Sequence, residues 1–318
     1  MSSDNQAAPH PHYDRLIATV RQFAPLRVAV VHPVNGPSLE AALESARMGL
    51  MVPVLVGPKT KIEAAAAELD ASLEGIEILD APHSHAAAEL AAALARDGKV
   101  DALMKGSLHT DELMGAVVRR ETGLRTARRI SHCFVMDVPG HGQPLIISDA
   151  AINIAPTLDE KVDIVQNAID LAHALRLSTV RVAILSAMET VNSKVPSTID
   201  AAALCKMADR GQITGAVLDG PLAMDNAIDA EAARIKGIAS PVAGHADVLI
   251  APDLDAGNML AKSLTFLAGA YAAGIVLGAK VPIILTSRAD SEPTRLASCA
   301  VAALLAQAAR EGRIRAVG

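Results

Sequence analysis

The amino-acid sequence predicts an α/β fold with a mostly parallel sheet. Short runs of β-branched residues alternate with longer stretches rich in alanine and leucine along nearly all of the 318 residues, and this alternation is typical of βαβ units. Runs such as VRVAILSA and VPIILTS are mostly apolar, as strands are when helices cover both faces of a sheet. The length is sufficient for two domains of ordinary size.

The apolar runs predict ten strands, separated for the most part by stretches of helical length. The predicted strands are residues 27–31, 52–56, 76–79, 102–105, 133–137, 145–148, 180–186, 215–219, 247–251 and 281–286. Helices are predicted over residues 39–48, 158–174 and 259–273, and Thr157 with Glu160 forms a capping-box pattern before the second. A polar connection near residue 150 predicts a domain boundary. The last strand and helix fit either domain on pattern alone.

The composition argues against several classes of partner. The net charge is −6, aromatic residues make up 2% and tryptophan is absent, so nothing predicts nucleic-acid binding. No apolar run free of charges reaches the roughly 18 residues of a membrane span, and the N-terminus lacks the apolar core of a secretory signal. Cys133, Cys205 and Cys299 have no paired spacing. We therefore expect free thiols in a cytoplasmic protein.

The polar loops that follow the strands are the expected place for a site, because ligands bind outside the carboxyl ends of parallel strands. We expect these loops to share one rim of the sheet. Phosphate-binding glycine motifs, HExxH and other metal-ligand spacings, and a GxSxG elbow are all absent from the sequence. The sequence therefore predicts no metal and no redox cofactor.

The segment PIILTSRADSEPTR places polar residues between a buried strand and a helix. Ser291 or Glu292 can cap that helix, whose free N–H groups favour an anion. Arg288 offers a planar, permanently charged fork to the same anion, and Asp290 could take up a proton beside it. A surface ion pair between Arg288 and Asp290 is an equally good interpretation of this segment alone.

The segment KGSLHTDE has the same character after the strand 102–105. Lys105 ends a buried strand, where a charge is costly without a partner. Gly106 allows a ligand to approach the backbone, and Ser107, His109 and Thr110 can donate hydrogen bonds. A structural role for His109 remains the alternative.

Several motifs together resemble those of the phosphate acetyl/butyryltransferases, over about residues 27–310. They include MKGSLHTDELMGAVVR, ISDAAINIAPTL, GAVLDGPLAMDNAI, VLIAPDLDAGNMLAK and ILTSRADS. The chain looks most like the branch found as the C-terminal part of bifunctional enoyl-CoA hydratase/phosphate acetyltransferases. Two rival interpretations remain, a β-decarboxylating NAD-dependent dehydrogenase of similar fold and a non-catalytic acyl-CoA or acyl-phosphate sensor.

The resemblance implies a fold, an assembly and a reaction. The fold is two α/β/α sandwich domains with an interdomain cleft, isocitrate dehydrogenase-like, with residues 1–150 plus 276–318 as domain one and residues 151–275 inserted as domain two. The assembly is a homodimer. The reaction is acyl-CoA + phosphate = acyl phosphate + CoA for acetyl to butyryl groups, with CoA as a substrate and no cofactor.

The resemblance also assigns roles to residues. The family's Ser-Arg pair falls on Ser287 and Arg288, and its G-x-x-H-[ST] segment on Gly106, His109 and Thr110. Ser107 and Asn258, within the quoted motifs, are expected to bind substrate.

Two positions depart from the acetyltransferases of the family. Their catalytic aspartate is replaced here by Thr294 and one of their arginines by Gly115. We therefore expect Asp290 to be the base, and Lys105, Arg128 or Arg129 to be the second phosphate ligand. The absence of the arginine suggests a roomier acyl pocket, in which propionyl or butyryl groups serve at least as well as acetyl.

Arg288→Lys should lower kcat/KM for the acyl transfer by roughly 10²-fold or more, the scale of losing one oriented donor to transition-state charge. Lysine keeps the positive charge but lacks the bidentate fork. Steady-state kinetics of the purified variant measure this, and a rate near that of the wild type would favour the surface ion pair.

Overall fold

The computed structural model describes residues 10–285 and 290–314. It confirms the predicted α/β fold, because one large, mostly parallel sheet lies between layers of helices. The strands are β1 (Leu26–Val31), β2 (Met51–Gly57), β3 (Glu77–Asp80), β4 (Ala102–Lys105), β5 (Ser131–Asp137), β6 (Leu145–Ser148), β7 (Arg181–Leu185), β8 (Val217–Leu222), β9 (Val248–Ile250), β10 (Tyr271–Leu277) and β11 (Ile283–Ile284).

The helices of the described residues fill most of the connections between strands. They are α1 (Pro11–Val20), α2 (Gly36–Arg47), α3 (Lys59–Glu68), α4 (Ser84–Arg96), α5 (Thr110–Val117), α6 (Leu158–Ala174), α7 (Pro196–Asp209), α8 (Met224–Ile228), α9 (Ala230–Ile235), α10 (Leu254–Ala268) and α11 (Glu292–Arg310). Thr157 and Glu160 form the predicted capping box of α6. Ser291 caps α11 by accepting a hydrogen bond from the Thr294 N–H.

The strand order is β3-β2-β1-β4-β11-β10-β5-β6-β9-β7-β8. Within each flank of the sheet the strands are parallel to one another: β3-β2-β1-β4-β11 form one flank and β6-β9-β7-β8 the other. At the centre, β10 is antiparallel to β11 and to β5, and β5 is antiparallel to β6. The strands on the β6 side therefore run opposite to β1–β4.

This reversal divides the polar loops between two edges of the sheet. We call the edge where β1–β5 and β11 end the first edge, and the edge where β6–β10 end the second edge. The expectation that all of these loops share one rim was therefore wrong.

The predicted helix over residues 259–273 was also wrong, because α10 ends at Ala268 and β10 begins at Tyr271. β10 is the strand that the sequence analysis missed.

The two faces of the sheet are covered differently. On one face, α1, α2, α3, α6, α7 and α11 bury a single apolar cluster that extends from β2 to β7. On the other face, α4 and α5 cover one cluster, and α8, α9 and α10 cover a second. Along β10, Val276 belongs to the first of these clusters and Ala272 to the second, with Gly274 between them. The predicted division at residues 150 and 276 stays a prediction.

A buried network fastens the loop after β6 to the start of β5. Asp149, only 3% exposed, accepts hydrogen bonds from the N–H groups of His132 (3.1 Å) and Ala151 (2.9 Å) and from Asn153 Nδ2 (2.6 Å). Arg129 Nε in turn donates to Asn153 Oδ1 at 2.8 Å. Because each of these polar groups is satisfied by another part of the chain, the network holds the second edge in place.

Two expectations about the whole chain can be compared with the structure. Across the described ranges, no helix is long and apolar enough to cross a bilayer. Cys133, Cys205 and Cys299 are free thiols, as predicted, with Cys133 and Cys299 buried.

Candidate active site at the first edge

The loops after β1 and β4 meet at the first edge because these strands are neighbours. β4 also pairs with β11, which ends at the same edge. The Arg295 side chain also links the first turn of α11 to the first turn of α2, where its Nη1 donates to the Pro37 carbonyl at 2.9 Å. The structure thus brings KGSLHT, HPVNG and the start of α11, which Asp290 precedes, to one place.

Gly106 and Ser107 join the end of β4 to the end of β1. The N–H of Gly106 donates to the Val31 carbonyl at 2.9 Å, and the N–H and Oγ of Ser107 both donate to the His32 carbonyl, at 3.0 and 2.9 Å. A Cβ atom on Gly106 would lie 2.3 Å from the Val31 oxygen. Only glycine therefore allows this close approach. Ser107 Oγ also accepts from the Val34 N–H at 3.2 Å.

His32 is the residue at this junction that the sequence analysis missed. Its backbone is in the left-handed region, with φ at 58°, and its N–H donates to the Val56 carbonyl at 2.7 Å. The ring Nδ1 is buried and has no hydrogen-bond partner among the described residues. Burial lowers the pKa of His32 below its ordinary value. His32 is thus a neutral ring beside the backbone that carries Ser107.

The start of α5 presents backbone donors to the same edge. Thr110 is the first residue of the helix, and His109 precedes it with extended backbone. The Glu112 carboxylate accepts hydrogen bonds from the His109 N–H and from Ser84 Oγ, both at 3.0 Å. The hydrogen bond from the His109 N–H holds the pKa of Glu112 below its ordinary value. The N–H groups at a helix start favour a bound anion.

Lys105 brings a positive charge to the point where the loops meet. The residue is 8% exposed, and its Nζ lies 3.5 Å from the Gly106 carbonyl oxygen. An ammonium group held at so low an exposure is a strong partner for an anion, because water screens the attraction weakly there. Lys105 and the α5 start are therefore suited to phosphate.

Asp290 is half-buried and lies directly before Ser291, the cap of α11. Thr294, at the position of the acetyltransferases' aspartate, is 5% exposed, and its Oγ1 accepts from Ser291 Oγ at 3.2 Å. Thr294 thus belongs to the cap of the helix. Ser287 and Arg288, both predicted to be catalytic, lie outside the described residues.

Other predicted residues lie at the second edge. Asn258, in α10, donates from Nδ2 to the Ala150 carbonyl at 3.0 Å. Arg128, at the start of β5, forms an ion pair with Asp170, and Arg129 forms one with Glu160 at 2.6 Å. These three side chains hold α6, α10 and the loop after β6. Of the candidate cations for the second phosphate contact, only Lys105 belongs to the first edge.

Comparisons with known proteins decide the family. Residues 84–303 match the family described as phosphate acetyl/butaryl transferase. The chain belongs to this family. A phosphate acetyltransferase of Rhizobium meliloti is 66% identical over 305 residues, which are 96% of either chain. A phosphate butyryltransferase of Clostridium acetobutylicum is 40% identical over 294 residues, covering 92% of this chain and 98% of its own.

A solved structure of a related enzyme supports this family assignment. A branched-chain phosphotransacylase from Enterococcus faecalis V583 matches with a TM-score of 0.78 at 29% identity, covering 88% of this chain and 99% of that one. The protein is accordingly a phosphate acetyl- or butyryltransferase, as the sequence resemblance implied. The dehydrogenase and sensor alternatives are not favoured.

Gly106→Ala should disrupt the junction, because the new methyl group would lie 2.3 Å from the Val31 oxygen. We expect the free energy of unfolding to fall by about 1–3 kcal/mol, the usual effect of forcing an extra methyl into a packed site. We also expect kcat/KM to fall by about tenfold or more. Gly142→Ala is the matched control, because a Cβ atom at that position would have nothing within 4 Å. Equal unfolding midpoints and rates for the two variants would contradict the role given to Gly106.

Proposed function

We propose that the first edge binds phosphate together with an acyl-CoA and transfers the acyl group directly between them. One observation carries the proposal: Lys105 and the N–H groups at the start of α5 lie together where β1, β4 and β11 end. Asp290 enters the same edge from the last connection. A cation, oriented donors and a carboxylate at one strand edge are what a doubly charged nucleophile and a proton transfer require.

The chemistry is an exchange of nucleophiles on one carbonyl carbon. A phosphate oxygen attacks the thioester carbon, a tetrahedral oxyanion forms, and the carbon–sulfur bond then breaks to release CoA thiolate, which takes up a proton. In the reverse direction the CoA thiol, with a pKa of roughly 8.5 taken from cysteine, loses its proton to a base as it attacks. Binding both substrates at one edge supplies proximity, so no covalent acyl-enzyme is needed.

Acetyl-CoA is the acyl donor that we propose as preferred. The relative with 66% identity is named a phosphate acetyltransferase, whereas the butyryltransferase is 40% identical. The sequence analysis had pointed towards propionyl or butyryl groups, from Gly115 and the branch resemblance. Measured kcat/KM values for acetyl-, propionyl- and butyryl-CoA distinguish these expectations: the highest value for acetyl-CoA would support the proposal, and an equal or higher value for propionyl- or butyryl-CoA would contradict it.

The proposal includes no metal and no cofactor other than the substrate CoA. Within residues 10–285 and 290–314, no group of three His, Cys, Asp or Glu side chains is arranged to hold a metal ion. Lys105 and helix N–H groups supply the charge stabilisation that a metal supplies elsewhere. A cytoplasmic location remains our expectation, because all three cysteines are free thiols.

A thiol-release assay tests the proposed function. Acetyl-CoA should release CoA thiol only when phosphate is present, with an equal amount of acetyl phosphate, and EDTA should leave the rate unchanged. Release without phosphate would indicate a hydrolase. A rate abolished by EDTA and restored by Mg²⁺ or Mn²⁺ would contradict the metal-free mechanism.

Asp290 is the residue that we propose as the base. Asp290→Asn should lower kcat much more than it raises KM for CoA, because the amide cannot accept the thiol proton. The defect should shrink between about pH 7 and pH 9, since the thiol, with a pKa of roughly 8.5, ionises without help at the upper end. Acetyl-CoA synthesis from CoA and acetyl phosphate, followed across this range, measures it.

Glu292→Gln is the matched control for Asp290→Asn. Glu292 is exposed in the first turn of α11, where a carboxylate favours the helix start. We expect this variant to lose some stability and to keep kcat within about twofold. A larger kcat loss in Glu292→Gln, or a defect of Asp290→Asn that does not change with pH, would place the base elsewhere.

We further propose a homodimer that pairs through α10. This helix buries only Gly257 and Ala261, while Met259, Phe266 and Leu267 are 62%, 72% and 86% exposed. Large apolar side chains grouped on one helix mark a protein interface, and a twofold axis is the commonest way to bury such a surface.

Phe266→Ser with Leu267→Ser should convert the dimer to a monomer at micromolar concentration, because two central apolar contacts are lost from each subunit. Sedimentation or light scattering measures the mass. Val118→Ser, which changes a 43% exposed residue after α5, should leave the mass unchanged. A monomeric wild-type protein, or a double variant that stays dimeric, would contradict the proposed interface.

A further inference from the structure

A cavity of about 330 Å³ lies beneath α1, on the face of the sheet that α1, α6 and α11 cover. It is bordered by α1, the end of α6, β10 and α11, it is partly open to solvent, and its walls are largely apolar. The apolar wall residues are Leu16, Val135, Pro144, Leu175, Leu177, Ala272, Ala273, Ala297 and Leu304. None of the lining residues belongs to the candidate active site. The wall from α11 and β10 lies on the sheet face that a single apolar cluster covers.

The roof of this cavity is held in place by contacts at the start of α1. The Asp137 carboxylate accepts hydrogen bonds from the N–H groups of His12 and Tyr13, at 3.1 and 2.9 Å. The His10 ring stacks on Tyr271 with the ring centres 3.5 Å apart. These contacts fasten α1 to the end of β5 and the start of β10, so the space below it is part of the fold.

The lining also includes two exposed arginines. Arg15 lies on α1 and Arg176 follows α6. Arg15 has no ion pair within the described part of the chain, while Arg176 packs over the Phe23 ring at 5.9 Å. Glu311, whose charge interacts with that of Arg176, is already paired with Arg313 at 2.6 Å. Both guanidinium groups are therefore suited to an added anion.

We propose that this cavity binds a carboxylate with an unbranched apolar tail of about eight carbons. The tail lies along the leucine, valine and alanine side chains, and the carboxylate meets Arg15 and Arg176. The volume limits the tail length, because a cavity of roughly 150 Å³ holds the six carbons of benzene, and this one, about twice as large, has room for a tail of about eight carbons together with its carboxylate. Few polar groups at an apolar cavity are typical of small-molecule sites.

This ligand differs in size from the acyl group that is transferred. Acetate or butanoate would leave most of the cavity empty, and each missing methylene should weaken binding roughly fourfold. Binding at this site therefore extends beyond the proposed function, and it does not depend on the roles given to Lys105 or Asp290.

Isothermal titration of the full chain with octanoate tests the proposal. We expect a Kd on the order of 10–100 μM, and binding at least about tenfold weaker for octanamide, which has the same tail without the charge. Butanoate should bind roughly 10²-fold more weakly than octanoate. A saturating amount of CoA should not displace octanoate.

Two sets of variants separate the head from the tail. Arg15→Gln with Arg176→Gln should weaken octanoate about tenfold or more, and Ala297→Leu should fill the cavity and abolish binding. Arg119→Gln, an exposed arginine paired with Glu89, is the control and should bind as the wild type does. If Ala297→Leu does not fold, the arginine variants still test whether the carboxylate of octanoate binds at this cavity. A Kd above about 5 mM, equal binding of octanamide, unchanged binding in the arginine variants, or competition with CoA would each overturn the proposal.

Discussion

Three consecutive antiparallel pairings at the centre of the sheet determine which loops share an edge. β10 hydrogen-bonds to β11 on one side and to β5 on the other. Because β5 is also antiparallel to β6, the strand direction is reversed between the two flanks of one continuous sheet. Loops that look equivalent in the sequence are therefore separated: those after β1 and β4 lie at the first edge, and those after β6 and β9 at the second. The proposed site follows from this sorting.

At the first edge, backbone contacts hold the polar side chains in position. The Ser107 N–H and hydroxyl share the His32 carbonyl, and Gly106 makes that approach possible. Lys105 then lies at the end of a buried strand, where its charge is weakly screened. At the second edge the arginines have a structural role, because Arg128 and Arg129 are paired with carboxylates of α6. Within residues 10–285 and 290–314, the first edge combines the buried Lys105 with the starts of α5 and α11.

Much of the fold could be predicted because local pattern and tertiary structure agree. Each apolar run predicted as a strand overlaps an observed strand, and the caps Thr157 and Ser291 are used as predicted. β10 was missed because YAAGIVLGA follows a long helix after the single glycine Gly269 and contains helix-favouring alanines. Strand direction depends on pairing between distant residues, so the pattern could not reveal the two edges. His32 was missed for the same reason, since its backbone partners Val56 and Ser107 are far away in the sequence, and substrate binding by Asn258 stays a prediction.

A crystal structure with CoA and phosphate bound would test the central claim most directly. The account predicts the phosphate at the first edge, within about 4 Å of Lys105 Nζ and in reach of the N–H groups at the start of α5. It also predicts the CoA sulfur beside Asp290. Phosphate bound instead at the second edge, against Asn258, Arg128 or Arg129, would contradict the assignment of the active site.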